Sequence, residues 1–321
     1  MYNLVQKRRL FYTLSALIII PGILLMLYST VTTGAPFRLS IDFQGGSIYE
    51  LQFTEAGATE SNISDAFSQF GMDDTSIQAL GNLEEYRWSV RSSFVDQAVV
   101  TALLDALNDV APLERDSVRV EQVSATVGGE VAQAAFLAVL VAAAVVTGFI
   151  VIAFRQVPHA FRYGVCAVTA MLHDVLVVAA VASLTGLLFG WEVDALFLTA
   201  VLTVVGFSVQ DTIVMFDRIR ENIPKHLGEP YETIVNRSVL ETMHRSLATQ
   251  LNVFFIMAAV LLFGGESIKQ FIAILFIGLL AGTYSSIFIA VPLLVSWEKG
   301  ELPFVNRRRP RDLSAVGTEV S

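Results

Sequence analysis

The sequence predicts a membrane protein: an α-helical bundle of six transmembrane helices with an α+β, ferredoxin-like periplasmic domain inserted between helices 1 and 2. Three observations carry this expectation. Of 321 residues, 54% are hydrophobic and only 16% charged, against about 25% charged in a soluble domain, and the mean hydropathy is +0.60. Six apolar runs come near the ~20 residues a spanning helix needs. Between the first two of these lies a long stretch of soluble character in which strand and helix patterns alternate.

The first run, residues 10–28, follows Lys7, Arg8 and Arg9. It is too long for a signal-peptide core and lacks an A-x-A site, so it reads as an uncleaved anchor. Residues 1–29 form the N-terminus and first span, and 30–129 the inserted domain. Within it, "RLSIDFQ" and "SIYELQF" alternate around Gly45-Gly46 and predict a hairpin. "TESNISDAFSQFG" has helical spacing, an acidic start and a glycine stop. "TSIQAL" and "YRWSVRS" predict strands, "VDQAVVTALLDALNDV" an amphipathic helix and "SVRVEQVSA" a last strand. From "SIYELQF" onward the order is β-α-β-β-α-β, the split-βαβ arrangement. That arrangement alone implies no function.

The remaining spans are predicted at residues 131–154, 163–189, 193–216, 245–263 and 271–295, making 130–298 the rest of the bundle. The apolar core of the fifth, 251–263, is too short to cross by itself. Its helix must therefore extend back through Gln250, Thr249 and Arg245. Loop charges support this. Basic residues cluster in the N-terminus, in the loop with Arg155 and Arg162, in the loop with Arg218, Arg220, Lys225 and Arg237, and in the tail 299–321. Under the positive-inside rule these lie in the cytoplasm. The loops near Gly190–Glu192 and Gly264–Lys269 are poor in base, as is the acid-rich inserted domain. Six spans with both termini inside satisfy every loop. Within the segment 218–244, the residues after Glu229 suit an amphipathic helix lying at the cytoplasmic interface. The tail beyond Pro303 is expected to be disordered.

Ionisable residues within a span are costly and usually face the bundle interior or an ion pathway. Three stand out: Asp174 in span three, Asp211 in span four and Arg245 at the inner part of span five. Each has a plain alternative. Asp211 could be one half of a structural ion pair, Arg245 could snorkel to the headgroups, and Asp174 could be a neutral, hydrogen-bonded carboxyl. Thr199, Thr203, Gly206 and Gln210 share one stripe of span four, with Asp211 beside it and Ser208 a turn earlier. Span five offers Ser246, Thr249, Gln250 and Asn252. Two such faces predict a hydrated polar seam, or else interhelical hydrogen-bond glue. Asp217 and Arg218 mark a cytoplasmic mouth. His173 adjoins Asp174, but helix neighbours point about 100° apart, so His173 is expected to be a packed or weakly hydrogen-bonded core residue and no metal clip. No metal, nucleotide or dinucleotide spacing is present in the sequence, and a lone cysteine, Cys166, permits no intrachain disulfide.

Several segments carry a family resemblance. "SIDFQGGS" looks like an Asp-Phe-x-Gly-Gly signature. "VGFSVQDTIVMFDRIREN" and "FGGESIKQFIAILFIGLLAGTYSSIFIAVPLL" resemble the fourth-span and last-hairpin motifs of the SecD/SecF family, within the resistance–nodulation–division superfamily. With the His-Asp pair of span three, the likeness covers nearly the whole chain. It implies no enzyme and no cofactor. The implied role is that of a subunit in the bacterial cytoplasmic membrane, partnered by SecD and the SecYEG translocon. There, bounded by membrane lipid and without nucleic acid, it uses the proton motive force to help a translocating preprotein leave. By matching position, the resemblance gives Asp211, Arg245 and Asp174 proton-coupling roles. One departure is visible: Gln250 and Asn252 stand where the family usually has small hydroxyls.

These residues suggest a mechanism. Burial disfavours charge on Asp211, while a guanidinium within reach favours it. An ionised Asp211 is expected to pair with Arg245. Protonation would end the attraction and let the helices shift. Three other readings stay open at this point: an intramembrane aspartyl protease using Asp174 and Asp211, a small-solute exporter of the same superfamily, and a passive scaffold.

Overall fold

The computed structural model describes residues 3–80, 85–155 and 159–301. It divides into two compact units. One, the inserted unit, comprises Arg38–Ala138 together with Glu192–Ala195; the other is the helical bundle. Among the described residues, six helices are long and apolar enough to cross a membrane.

In the inserted unit, a short turn α2 (Ile41–Gln44) precedes β1 (Gly46–Gln52). Then follow α3 (Glu60–Ser68), β2 (Ser76–Ala79), β3 (Arg87–Ser92), α4 (Gln97–Val110) and β4 (Arg119–Val123). The sheet is ordered β2-β3-β1-β4, and every neighbouring pair is antiparallel. Tyr49 lies opposite Val90 and Leu51 opposite Trp88. Strand residues two apart share a face, so Tyr49, Leu51 and Val90 form one apolar layer. They bury with Ile63 and Phe67 of α3 and Leu103 and Leu107 of α4. Glu50, Gln52 and Arg87 occupy the other, polar face. Thr59 caps α3, its hydroxyl accepting from the Asn62 amide at 3.3 Å.

The expected hairpin around Gly45-Gly46 does not form. Residues 41–44 wind into α2 because Ser40 caps them, its Oγ accepting from the Asp42 amide at 3.1 Å. The strand-like Leu39 pairs in parallel with Val193 instead. Both glycines are required by geometry. Gly45 has φ +78 and Gly46 φ +132, and a Cβ on Gly45 would come within 2.7 Å of Ala125. The start of α5 (Ala125–Ala153) is seated against this turn, and its residues through Ala138 belong to the inserted unit.

The bundle comprises α1 (Arg8–Thr33), the rest of α5, α6 (Ala160–Phe189), α7 (Ala195–Lys225), α8 (Tyr231–Phe263), α9 (Glu266–Ser285), a π-helical turn Ser286–Ala290 and α10 (Val291–Glu298). The last three elements make one span. α6, α7 and this last span are the most buried, while α1, α5 and α8 present long apolar faces outward. Glycines set the close approaches: a Cβ on Gly22 of α1 would overlap Ala180 of α6, and one on Gly278 of α9 would overlap Val204 of α7. Cys166 is fully buried in the core with Ile150, Phe154 and Met171. Arg8 is buried too, forming ion pairs with Glu232 at 3.0 Å and Glu301 at 2.6 Å.

The fifth span extends back through Gln250 and Arg245 as expected, but the amphipathic segment before it is no separate interfacial helix. Both belong to the single 33-residue α8. Ile234, Val235 and Val239 are buried, and Val235 and Val239 join the core of the bundle, so an apolar stripe here packs inward on protein. Arg218 and Arg220 lie on the last turns of α7, which runs on through Lys225. The tail beyond Glu301 lies outside the described residues.

Candidate functional site

Asp174 on α6 is wholly buried. Its Oδ2 accepts from Ser208 Oγ of α7 at 2.5 Å and from Ser285 Oγ at the end of α9 at 2.7 Å. Its Oδ1 lies 3.0 Å from His173 Nδ1. The neighbouring side chains thus meet although helix neighbours point about 100° apart, and His173 is a buried, hydrogen-bonded core residue. His173 Nε2 reaches Ser15 Oγ of α1 at 3.1 Å, and Tyr284 OH donates to the Phe11 carbonyl at 3.0 Å. Gly282 makes room, because a Cβ there would lie 3.2 Å from Ser208 Cβ and 3.7 Å from Asp174 Oδ2. The network joins α1, α6, α7 and α9. Ser285 directly precedes the π-helical turn, a distortion that recurs at functional sites.

Asp211, one turn after Ser208 on α7, is 8% exposed. Both partners come from α8: Gln250 Nε2 donates to Oδ2 at 2.8 Å, and Ser246 Oγ to Oδ1 at 3.5 Å. Gln250 makes the shorter of the two bonds. Its other amide atom, Oε1, is buried with no hydrogen-bond partner among the described residues. Among the described residues, Asp174 and Asp211 share no hydrogen-bond partner.

Arg245 does not pair with Asp211. It is exposed, and no ion pair to it occurs among the described residues. It lines a cleft of about 310 Å³ together with Val214, Asp217, Arg218, Glu221, Glu241 and Thr242. Val214 lies one turn beyond Asp211, and Thr242 one turn before Ser246, so the lining of the cleft stops about one helical turn from the acid. Arg218 bonds Glu241 at 2.7 Å and Glu221 at 2.9 Å.

The predicted polar seam divides in two. Ser208, Gln250 and Ser246 turn inward to the acids. Gln210, Thr249 and Asn252 are exposed and Thr203 is partly so; Thr203 and Thr249 bond back to carbonyls of their own helices at 2.7 and 3.0 Å. Sequence reasoning passed over Ser15, Ser285 and Tyr284. The run of hydroxyls Thr283-Tyr284-Ser285-Ser286 inside an apolar span was the available signal for the last two.

The family model described as protein export membrane protein SecD/SecF, C-terminal, matches residues 102–300, and the SecD/SecF GG motif matches residues 31–56. The chain belongs to the SecD/SecF family. The protein translocase subunit SecF of Anaerolinea thermophila is 45% identical over 94% of this chain and 96% of that protein. Its counterpart from Thermobaculum terrenum is 40% identical over 98% and 100%. The crystal structure of SecDF from Thermus thermophilus, titled a translocon-associated membrane protein, matches with a TM-score of 0.75 at 27% identity. That match covers 93% of this chain and 39% of the longer SecDF chain. Family membership and six apolar helices make this a multi-pass membrane protein. The hairpin overturned above falls within the matched GG motif.

Proposed function

We propose that the chain is a non-catalytic subunit of the Sec export machinery which, with a SecD-like partner at the SecYEG translocon, couples the proton motive force to preprotein movement. Both termini and the α7–α8 connection lie in the cytoplasm, and the inserted unit, read as ferredoxin-like, lies on the periplasmic side. The names of the relatives support the export role. The basic loops support the orientation.

One observation carries the coupling. Asp211 is buried at membrane depth, bonded only to neutral donors among the described residues, beside a polar cleft. α7 rises about 1.5 Å per residue, which puts Asp211 roughly 24 Å from Ala195, toward the inner edge of a ~30 Å hydrocarbon layer. A proton entering by the cleft has a short way to travel. Gln250 suits both forms of the acid. Its Nε2 donates to a carboxylate, and a rotated amide would offer Oε1 to a protonated carboxyl. In the arrangement seen, Gln250 and Ser246 both donate to Asp211 and Arg245 stands apart. Ionisation would draw Arg245 from the cleft wall toward Asp211 and shift α8 against α7. Each charge crossing the field releases about 2.3 kcal/mol per 100 mV. Asp174, enclosed by fixed donors, holds the helices in register around the moving pair.

The test is preprotein translocation into energised vesicles carrying Asp211→Asn together with its partner. The variant is expected to fold, to retain the partner and to lose ion-driven stimulation. Full stimulation would leave the scaffold reading in its place. A small-solute exporter would instead show solute efflux that depends on Asp211, with secretion untouched.

A further inference from the structure

The SecD/SecF GG motif contains an acid, Asp42, for which neither sheet nor core has any use. Its carboxylate leaves the motif: Oδ2 accepts from the Ala195 amide at 3.0 Å, a residue 153 positions later. Ala195 is the first residue of α7, the helix that carries Asp211. The first N–H groups of a helix lack intrahelical partners, and a carboxylate there is favoured by the helix dipole.

Neighbouring contacts reinforce this bond. The Ser40 amide donates to the Val193 carbonyl at 2.9 Å, and the Val193 amide to the Arg38 carbonyl at 2.7 Å. Arg91 of β3 donates to the Leu39 carbonyl at 2.9 Å and forms an ion pair with Glu192. All of these residues belong to the inserted unit, and α7 leaves that unit through the peptide bond after Ala195. Ser40 fixes the turn that aims Asp42, and Gly45 admits the start of α5 behind it. The motif is thus built as a grip on the root of α7.

We propose that Asp42 is a positioning residue that holds the first amide of α7, with Arg91 bracing the residues just before it, so that a change at Asp211 is passed down this helix to Ala195 and the motif. This rests on the coupling reading given above for Asp211. A grip through hydrogen bonds transmits displacement while it holds, whereas the peptide link alone would let the first turn swivel.

Ala195→Pro tests the clasp without touching the motif. Proline is well tolerated at the first helical position and lacks the N–H that Asp42 accepts. Amide exchange across residues 38–44 is compared in the full chain with its partner, with and without Asp211→Asn. With the clasp intact, Asp211→Asn is expected to change exchange there by roughly tenfold, the size of effect a helix cap exerts; with Ala195→Pro that difference should vanish. Asp42→Ala should behave likewise, and both should lose ion-driven translocation while keeping the ion-independent part. A difference that persists in Ala195→Pro, or that is absent in the intact chain, overturns the proposal. Translocation by Asp211→Asn alone reports on the coupling reading, so the two can fail separately.

Discussion

Asp174 and Asp211 are both buried carboxyl groups on adjacent helices, yet their surroundings differ. Asp174 is held by Ser208, Ser285 and His173, drawn from two other helices and its own. Asp211 is held by two neutral groups of one helix, beside an open cleft. Burial alone therefore does not make the two acids equivalent. An acid whose partners come from several fixed helices resists change. One whose partners share a single helix, beside a cleft, is expected under the proposed function to exchange its proton by moving that helix.

Substitutions can break this contrast in graded steps. The largest effect is expected from Asp211→Asn: a loss of ion-driven translocation on the order of tenfold or more, given ~2.3 kcal/mol per charge per 100 mV, with little change in melting of the purified protein. Asp174→Leu should do the reverse. It strands Ser208, Ser285 and His173 without their acceptor, costing about 3 kcal/mol or more, read as a lowered melting transition in detergent. Gln250→Leu removes the shorter bond to Asp211. It should lower ion-driven translocation severalfold while costing about 1–2 kcal/mol of stability; unchanged translocation would show that Ser246 suffices. Gly282→Ala crowds Ser208 and Asp174 and should cost about 1 kcal/mol in melting, leaving the pH dependence of translocation alone.

A control away from both acids has the smallest effect. The hydrogen bond from Arg8 holds the Glu301 carboxyl below the ordinary glutamate range. A lowered value means that the contribution is present at neutral pH and is lost as pH falls through that lowered value. Because Glu301 is partly exposed, Glu301→Gln should cost less than ~1 kcal/mol at pH 7, and nothing in strongly acidic buffer, by thermal melting.

Much of this architecture was legible because membranes constrain sequences strongly. Six apolar runs and alternating loop charge gave the spans, and strand alternation gave β1, β3 and β4. Asp211 was legible because a carboxylate in an apolar run needs a reason. The separation of Arg245 from Asp211 was not legible: helix rotation decides which face each residue presents, and α8 turns Gln250 and Ser246 to the acid and Arg245 to the cleft. The hairpin at Gly45-Gly46 was misread because "RLSIDFQ" alternates like a strand, while its true partner, Val193, is remote in sequence. The first part of α8 was misread as interfacial because an apolar stripe looks the same whether it meets lipid or protein.

Cys166 has a practical consequence. It is the chain's single thiol, enclosed among Ile150, Phe154 and Met171. Bulky impermeant maleimides added to intact vesicles should find nothing to modify, so the natural chain already serves as a labelling blank. A cysteine engineered at position 245 or 252 would then report, by the side from which it reacts, where each stands relative to the bilayer as the transmembrane voltage is switched on and off.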